Sequence, residues 1–172
     1  MRLIVTGTPG VGKTSLSKQI AARLAIPFIS VNAFVQRKSM GRREGLERVV
    51  DPKTLERALR KELKGKKAFV LDGHLACEIT IPCDAVLVMR CHPRRLNKRL
   101  KKRGYSKKKI EDNLYSEALD YCLVRAETHY ERKKVVQLDA STRVSVEAAL
   151  KQLKHRKPLI IRWLPEFLSD LS

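Results

Sequence analysis

Residues 3–14 read Leu3-Ile-Val-Thr-Gly-Thr-Pro-Gly-Val-Gly-Lys-Thr14, and this stretch decides the fold. Its first residues are apolar and typical of a buried strand, and apolar residues recur at helical spacing after Thr14. Between these two elements, residues 7–14 match G-x-x-x-x-G-K-[ST] at every defined position. A strand, a glycine-rich loop and a helix in this order predict a phosphate-binding loop and an α/β fold of the P-loop NTPase class.

Each defined residue type in this loop has a chemical task. Glycines allow backbone conformations that a side chain would forbid, so that successive N–H groups can turn toward an anion. The ammonium group of Lys13 can reach the β- and γ-phosphates of a nucleotide, and the hydroxyl of Thr14 offers an oxygen ligand to Mg²⁺. The positive end of the following helix points at the same phosphates. The predicted nucleotide-binding residues of the loop are Gly10, Val11, Gly12, Lys13, Thr14 and Ser15.

A second acidic ligand for Mg²⁺ is predicted at the end of another strand. Lys67–Asp72 is a hydrophobic run that ends on a carboxylate, and ligands bind at the carboxyl ends of strands in such sheets. We therefore expect Thr14 and Asp72 to hold the metal ion. His74 follows two residues later, where it either orients a water and senses the γ-phosphate or is a satisfied loop histidine. His92, His129 and His155 are predicted to lie on the surface.

The composition limits the remaining possibilities. A chain of 172 residues with 43% hydrophobic residues is expected to form one domain with a real core. The sequence has no apolar run of about eighteen residues, and Met1 lies one residue before the first predicted strand, so we expect no membrane span, no signal peptide and a cytoplasmic protein. Four cysteines without C-x-x-C spacing predict buried free thiols rather than a zinc site.

The charge is strongly unbalanced. Lys and Arg outnumber Asp and Glu by 37 to 18, a formal net charge of +19. Such an excess favours a polyanionic partner, and RNA is the first expectation. A thermophile surface that is only rich in charged residues would instead carry similar numbers of positive and negative side chains. Residues 90–109 hold eleven basic residues and no acid. These cations can clamp a triphosphate, bind an RNA backbone or solvate a helix face, and Arg99 and Arg103 are the predicted clamp.

The remaining elements follow from hydrophobic patterning. Apolar runs separated by helices predict further parallel strands at Ile26–Val31, Lys67–Asp72, Asp84–Arg90 and Lys134–Leu138. Ser39–Arg48 is predicted to be a mobile polar excursion, and residues 107–131 to be one long helix. Ser141 is the predicted cap of a helix over 144–154. The apolar tail, 158–172, is expected to dock on the domain, with a partner-binding anchor as the alternative.

These residues together resemble the adenylate kinase isoenzyme 6 family. The resemblance rests on Gly-Thr-Pro-Gly-Val-Gly-Lys-Thr, on Asp72-x-His74 and on Arg99-x-x-x-Arg103-Gly-Tyr105 with Asn113 and Glu117 downstream, and it spans residues 3–140. It implies an adenylate-kinase-like five-stranded parallel sheet of strand order 2-3-1-4-5. It also implies ATP:AMP phosphotransfer with Mg²⁺, a slow ATPase activity, and association with a platform protein of the small ribosomal subunit during rRNA maturation, in the cytoplasm or, in a eukaryote, the nucleus.

The resemblance also implies how the chain divides. A single kinase domain, 1–172, would contain a monophosphate-binding segment at about 30–50 and a short lid at about 103–111. Arg99 and Arg103 would contact ATP, one on adenine and one on phosphate. Asn32, Arg37 and Arg42 would bind the substrate, with Arg43 as another candidate for the AMP phosphate. The expected catalytic residues are Lys13, Asp72, His74 and Arg103, and we expect a monomer.

The sequence departs from ordinary adenylate kinases at two places. Those enzymes carry Asp-Gly-[aromatic]-Pro-Arg after the third strand, whereas His74 replaces the aromatic residue here and no Arg follows. Gly41-Arg-Arg-Glu-Gly45 is basic where family members are acidic, which favours RNA over a basic protein partner. Two alternatives stay open: a nucleotide-gated, non-catalytic adaptor for RNA or ribosomal protein, and a P-loop kinase for another small substrate such as shikimate, gluconate or a different nucleoside monophosphate.

Overall fold

The computed structural model describes residues 1–44 and 47–169, and seven strands lie within them. They are β1 (Arg2–Thr6), β2 (Phe28–Ser30), β3 (Arg42–Glu44), β4 (Glu47–Val49), β5 (Phe69–Asp72), β6 (Ala85–Arg90) and β7 (Val135–Asp139). Five of them form a parallel sheet in the order β2-β5-β1-β6-β7, and β3 pairs with β4. The predicted order 2-3-1-4-5 is confirmed, because it is the same topology once the two hairpin strands are left out of the numbering.

Helices cover both faces of the sheet. Within the described residues they are α1 (Lys13–Arg23), α2 (Val31–Arg37), α3 (Pro52–Leu63), α4 (Pro93–Lys102), α5 (Lys107–Ala118), α6 (Tyr121–His129), α7 (Val146–His155) and α8 (Leu164–Ser169), with 3-10 turns at His74–Glu78 and Arg132–Lys134. One core cluster contains residues of α1, α4, α5, α7 and α8, and a second contains residues of α2, α3 and α6. Every residue of β5 and β6 is buried, which explains their continuous apolar runs.

The prediction of a mobile excursion at Ser39–Arg48 is wrong for its described residues, because an antiparallel hairpin begins there. Arg42 pairs with Val49, and Glu44 pairs with Glu47. Gly41 has a φ of +75°, and a Cβ at this position would lie 2.3 Å from the carbonyl oxygen of Val49. This glycine therefore allows the two strands to approach each other, rather than breaking the structure. Gly45, the other glycine on which the prediction depended, lies outside the described residues.

The predicted single helix over 107–131 is also wrong, because α5 ends at Ala118 and α6 begins at Tyr121. Asp120 lies between them in the left-handed region, with a φ of +57°. The cause lies in the sheet: the guanidinium of Arg90, only 1% exposed, donates to the Asp120 carboxylate and to the carbonyl oxygen of Glu117. A buried cation needs such acceptors, and the helix breaks where it supplies them.

Two smaller predictions need correction. Ser145, not Ser141, caps α7 by accepting a hydrogen bond from the N–H of Ala148. Ser141 instead accepts from the N–H of His92 at 2.8 Å. His92 and His129 are half-buried rather than on the surface, whereas His155 is exposed.

The apolar tail packs back onto the domain, as expected, through its described residues. Phe167 is buried in the first core cluster and meets the ring of Tyr115 edge-on, with 5.1 Å between ring centroids. Glu166 pairs with the Nε2 atom of His92, whose ring lies 5.0 Å from that of Trp163. Residues 170–172 of the predicted tail lie outside the described residues. None of the described helices is long and apolar enough to cross a membrane.

Candidate nucleotide-binding site

The glycine-rich loop joins β1 to α1 at the centre of the sheet. Gly7, Gly10 and Gly12 have φ values of +139°, +96° and +105°, which side-chain-bearing residues rarely adopt. A Cβ at Gly7 would lie 2.3 Å from the carbonyl oxygen of Met89 on β6, and one at Gly10 would lie 2.8 Å from Leu100 on α4. The loop therefore fits closely against both neighbouring elements. Its three glycines have φ values that other residues rarely adopt, and at Gly7 and Gly10 there is also no room for a side chain.

The side chain of Lys13 folds back over this loop. Its Nζ donates to the carbonyl oxygens of Gly7 at 2.8 Å and Thr8 at 2.9 Å. The side chain is buried, and burial lowers the pKa of Lys13 because it penalises the charged ammonium group. This arrangement holds a positive charge beneath the loop, where it can pair with phosphate oxygens.

Thr14 and Asp72 meet as predicted for a magnesium site. The Thr14 hydroxyl donates to Oδ2 of Asp72 at 2.7 Å, and Asp72 is 3% exposed at the end of β5. Burial raises the pKa of Asp72. Its other oxygen, Oδ1, is buried and has no hydrogen-bond partner among the described residues. A hydroxyl and an orphaned carboxylate oxygen are hard ligands, so this pair fits a hydrated Mg²⁺ ion.

A close backbone approach fixes the position of His74. Gly73 lies so near α2 that a Cβ there would be 2.6 Å from the Cβ of Val31. His74 then begins a 3-10 turn, and its carbonyl oxygen accepts a hydrogen bond from the Thr6 hydroxyl at 3.1 Å. His74 also lines two cavities described below, so the structure places it two residues after Asp72 and beside open space.

The first cavity, of about 700 Å³, opens on the α4 side of the loop and is called the donor cavity here. Four of the predicted loop residues line it, Gly10, Val11, Gly12 and Ser15, together with both predicted clamp arginines, Arg99 and Arg103. Arg99 also donates to the carbonyl oxygens of Val11 and Ser141, which holds its guanidinium at the cavity wall. The sequence analysis missed Lys102, Thr142 and Arg143, which also line this cavity.

The second cavity, of about 460 Å³, lies between α2, the hairpin and the 3-10 turn, and is called the acceptor cavity here. Asn32 and His74 line it as expected, but its lining cations are Arg43 and Arg48. Arg37 instead pairs with Glu62 at 2.9 Å, and Arg42 pairs with Glu44. Arg43 was an alternative in the sequence analysis, whereas Arg48 was missed because only the hairpin brings it to this wall.

The third cavity, of about 590 Å³, continues from the acceptor cavity and is called the lid cavity here. It is bounded on one side by Thr8 and His74 and on the other by Tyr105 and Lys109 of the predicted lid. In the structure that lid is a short loop, 103–106, followed by the first turn of α5. The lid residues thus face the phosphate loop across open space.

A buried carboxylate ties the loop to α5, and the sequence analysis gave it no role. Glu117, 2% exposed, accepts from the Thr8 hydroxyl at 2.5 Å, from Nε of Arg90 at 2.8 Å and from the N–H of Cys91 at 3.0 Å. Thr8 is also the residue whose carbonyl oxygen holds Lys13. Glu117 therefore fixes one side of the loop. An arginine at the end of the buried run of β6 is the sequence signal that could have indicated a buried acid.

Comparisons with known proteins show which proteins the chain resembles. The AAA domain family AAA_18 matches residues 3–120. A "Putative adenylate kinase" of Thermococcus onnurineus is 38% identical over 173 residues, covering 97% of this chain and 93% of that protein. A protein of the same name from Methanocaldococcus jannaschii is 32% identical, covering 100% of this chain and 98% of its own length.

Solved structures of small-molecule kinases have the same fold. A shikimate kinase from Bacteroides thetaiotaomicron superposes with a TM-score of 0.60 at 17% identity, covering 91% of this chain and 97% of that one. A gluconokinase from Sinorhizobium meliloti gives a TM-score of 0.59 at 18% identity, covering 99% and 97%. At this level of identity the likeness concerns the fold alone.

Proposed function

The chain belongs to the AAA_18 family and, with its archaeal relatives, to an adenylate-kinase-like family, and on this premise we propose that it transfers a phosphoryl group from ATP to AMP. A kinase-like phosphotransferase is what the family membership supports. The choice of AMP as acceptor, the ATPase activity and the role in the cell are the further steps of this proposal.

The chain's own groups supply the electrostatics of transfer. Lys13 and the amides of the loop bind the β- and γ-phosphates, and Arg99 and Arg103 bind the nucleotide from the donor cavity. Thr14 and Asp72 hold Mg²⁺, which when bound neutralises charge on the phosphates. Closure of the lid excludes water, so that the acceptor phosphate and not water takes the phosphoryl group.

The acceptor cavity supports a phosphorylated acceptor. Arg43 and Arg48 line the cavity together with Asn32 and Gln36, and the guanidinium of Arg48 is held by the carbonyl oxygen of Met40 at 3.1 Å. Guanidinium groups match phosphate geometry, and amides can bind the edge of a base. These lining groups suit a nucleoside monophosphate better than an uncharged sugar.

In the absence of an acceptor, we propose that water takes the place of AMP and that His74 helps to position it. His74 lines both the acceptor cavity and the lid cavity, beside Asp72. His74→Ala should then lower the rate of ATP hydrolysis more than it lowers ATP affinity. Equal losses of hydrolysis rate and of ATP affinity would mean that His74 has a structural role and does not position water.

The observation that carries the proposal is the pair of cavities, one on each side of Lys13 and Asp72, with cations on the acceptor side. The test measures ADP formation with ATP alone, with added AMP, and with shikimate or gluconate. We expect AMP to stimulate turnover. Lys13→Ala should lose about a hundredfold or more of it, while the exposed Lys66→Ala, at the opposite end of the sheet, should keep it. No ADP formation under any of these conditions would support the non-catalytic adaptor alternative.

We also propose that the activity serves small-subunit ribosome maturation, with a platform ribosomal protein and rRNA as partners, in the cytoplasm. The support is the net charge of +19 and the resemblance in sequence motifs. Purification of the tagged chain from native lysate, with and without ATP, should recover small-subunit rRNA and ribosomal protein. Their absence from both preparations would overturn this part of the proposal and leave the kinase intact.

A further inference from the structure

Two cysteines that the proposed reaction does not use face each other at the lid cavity. Cys77 lies in the 3-10 turn after β5, and Cys122 is the second residue of α6. The Cys77 thiol donates to the carbonyl oxygen of His74 at 3.0 Å and also interacts with the Cys122 thiol, and both cysteines line the lid cavity beside Thr8 and His74. The other two cysteines, Cys83 and Cys91, are buried elsewhere and line none of the three cavities described above.

The turn and the helix that carry these thiols are held together by Glu78. Its carboxylate accepts from the Tyr121 hydroxyl at 2.6 Å and from Nε of Arg125 at 2.8 Å. Both donors belong to α6, one of them next to Cys122 in sequence. These contacts hold the 3-10 turn and the start of α6 against each other, next in sequence to both cysteines.

The surroundings make the two thiols chemically unequal. Cys122 lies at the amino end of α6, and its interaction with Cys77 together with the nearby charge of Lys13 lowers its pKa. The pKa of Cys77 is raised by the same interaction and by burial, and burial raises the pKa values of Cys83 and Cys91 to about 11. Cys122 is thus placed to act as the nucleophile and Cys77 as its resolving partner.

We propose that Cys77 and Cys122 are a peroxide-sensitive pair that closes into a disulfide at the edge of the phosphate site. The Cys122 thiolate attacks one oxygen of hydrogen peroxide, the O–O bond breaks, and a sulfenic acid forms as hydroxide leaves. The Cys77 thiol then attacks that sulfur, the S–O bond breaks, and water leaves with the thiol proton. The peroxide gains the two electrons that the two sulfur atoms lose, so the step is balanced.

Bound nucleotide should oppose this oxidation for two reasons. The phosphates bring negative charge to Lys13, which offsets the cation that favours the Cys122 thiolate. They also lie beside Thr8, at the wall of the cavity through which a peroxide reaches the thiols. This second part of the inference depends on nucleotide binding at the loop, whereas formation of the disulfide does not.

The test treats the reduced full-length protein with hydrogen peroxide, blocks the remaining thiols with N-ethylmaleimide, and identifies disulfides by peptide mass spectrometry. We expect a Cys77–Cys122 disulfide in the native protein and in the matched control Cys83→Ser. Cys122→Ser should stop it, and Cys77→Ser should leave Cys122 as a sulfenic acid that dimedone traps. Oxidation of all four cysteines at one common rate, or a different pair of linked cysteines, would overturn the proposal.

Nucleotide protection is measured in the same assay with saturating Mg·ATP. We expect oxidation to slow severalfold, because the bound phosphates offset the charge of Lys13 that favours the Cys122 thiolate. Binding of ATP to the reduced protein is measured separately by calorimetry. If ATP binds and protection is absent, the link to nucleotide is refuted. If ATP does not bind, the proposed function fails, and the disulfide is still judged by its own mass-spectrometric result.

Discussion

Asp72 has a buried carboxylate, and only one of its two oxygens has a hydrogen-bond partner among the described residues. Burial raises its pKa above that of an unfolded chain, so the protonated form favours the folded state. This contribution to stability is full below about pH 4, the pKa of an unfolded Asp. It is lost as the pH rises through the higher pKa of the folded protein.

Asp72→Asn removes the titratable carboxyl group, and with it the loss of stability that the native protein shows as the pH rises. In the absence of Mg²⁺, we expect the free energy of unfolding of the variant, relative to the native protein, to rise between about pH 4 and pH 7. Denaturant titrations at several pH values measure this difference, and the exposed Asp112→Asn is the matched control. Mg·ATP should stabilise the native protein and not Asp72→Asn. A relative stability that falls with pH would contradict the argument from burial.

The residues of the loop could be predicted from sequence because their roles depend on neighbours within a few positions. Lys13, Thr14 and the glycines act through one turn of backbone, and the structure places them together. Glu117 and Arg48 could not be predicted in the same way. Their partners, Thr8 and the acceptor cavity, are set by tertiary packing, which leaves no local pattern in the sequence.

At the scale of elements, the β3–β4 hairpin decides which arginines face the acceptor cavity. Side chains alternate along a strand, so Arg42 and Arg43 point to opposite sides. Arg43 and Arg48, directly opposite in the hairpin, both line the cavity, whereas Arg42 pairs with Glu44. The hairpin thus brings two cations from two strands to one cavity.

Removing these cations should therefore affect the acceptor and spare the donor. We expect Arg43→Ala and Arg48→Ala each to raise the KM for AMP about tenfold or more, the value of one charged hydrogen bond. The KM for ATP should stay near the native value, and Arg42→Ala should resemble the native protein. Steady-state kinetics with each substrate varied in turn gives all three results. A larger effect on ATP than on AMP would contradict the assignment of the acceptor cavity.

The α5 helix contributes through Glu117, which joins the loop to the buried Arg90. Glu117→Gln leaves that cation poorly compensated, so we expect the free energy of unfolding to fall by about 3 kcal/mol. Thr8→Val removes only the hydroxyl and should cost about 1 kcal/mol. Urea unfolding of these variants and of the exposed control Glu111→Gln measures both. Equal stability of Glu117→Gln and the control would mean that the network contributes nothing.

The elements were predictable where they depend on their own apolar pattern. All five strands of the parallel sheet were expected, since buried strands are continuous hydrophobic runs. The break between α5 and α6 was not predictable, because its cause, Arg90, lies on a strand about thirty residues earlier. The hairpin escaped prediction for a related reason: its strand residues are mostly charged, so they carry no alternation of apolar and polar residues.

At the scale of the whole molecule, the net charge of +19 exceeds what a nucleotide site needs. If it serves RNA, binding must release counterions and weaken steeply with salt. We expect a plot of log affinity for a single-stranded rRNA fragment against log salt to have a slope of about −3 or steeper, equivalent to four phosphate contacts. Fluorescence anisotropy measures it.

The control for this measurement reverses charge where the proposed reaction does not need it. Lys66→Glu with Lys67→Glu changes two exposed residues that precede β5, at the end of the sheet opposite the glycine-rich loop. We expect the slope to become shallower by about 0.7 for each phosphate that the variant no longer neutralises, while ADP formation is kept. A slope near zero in the native protein would mean that the surplus charge only solvates the surface.

The close fit of Gly7 against the Met89 carbonyl has a consequence for protein engineering. A phosphate-binding loop is often treated as a segment that can be moved from one protein to another without its surroundings. In this protein the first residue of the loop, Gly7, packs against the backbone of the adjacent strand β6, and a Cβ at this position would lie 2.3 Å from the carbonyl oxygen of Met89. Moving residues 7–14 into another protein without β6 would remove the backbone that Gly7 contacts. The smallest segment that can be transferred therefore contains both β1 and β6.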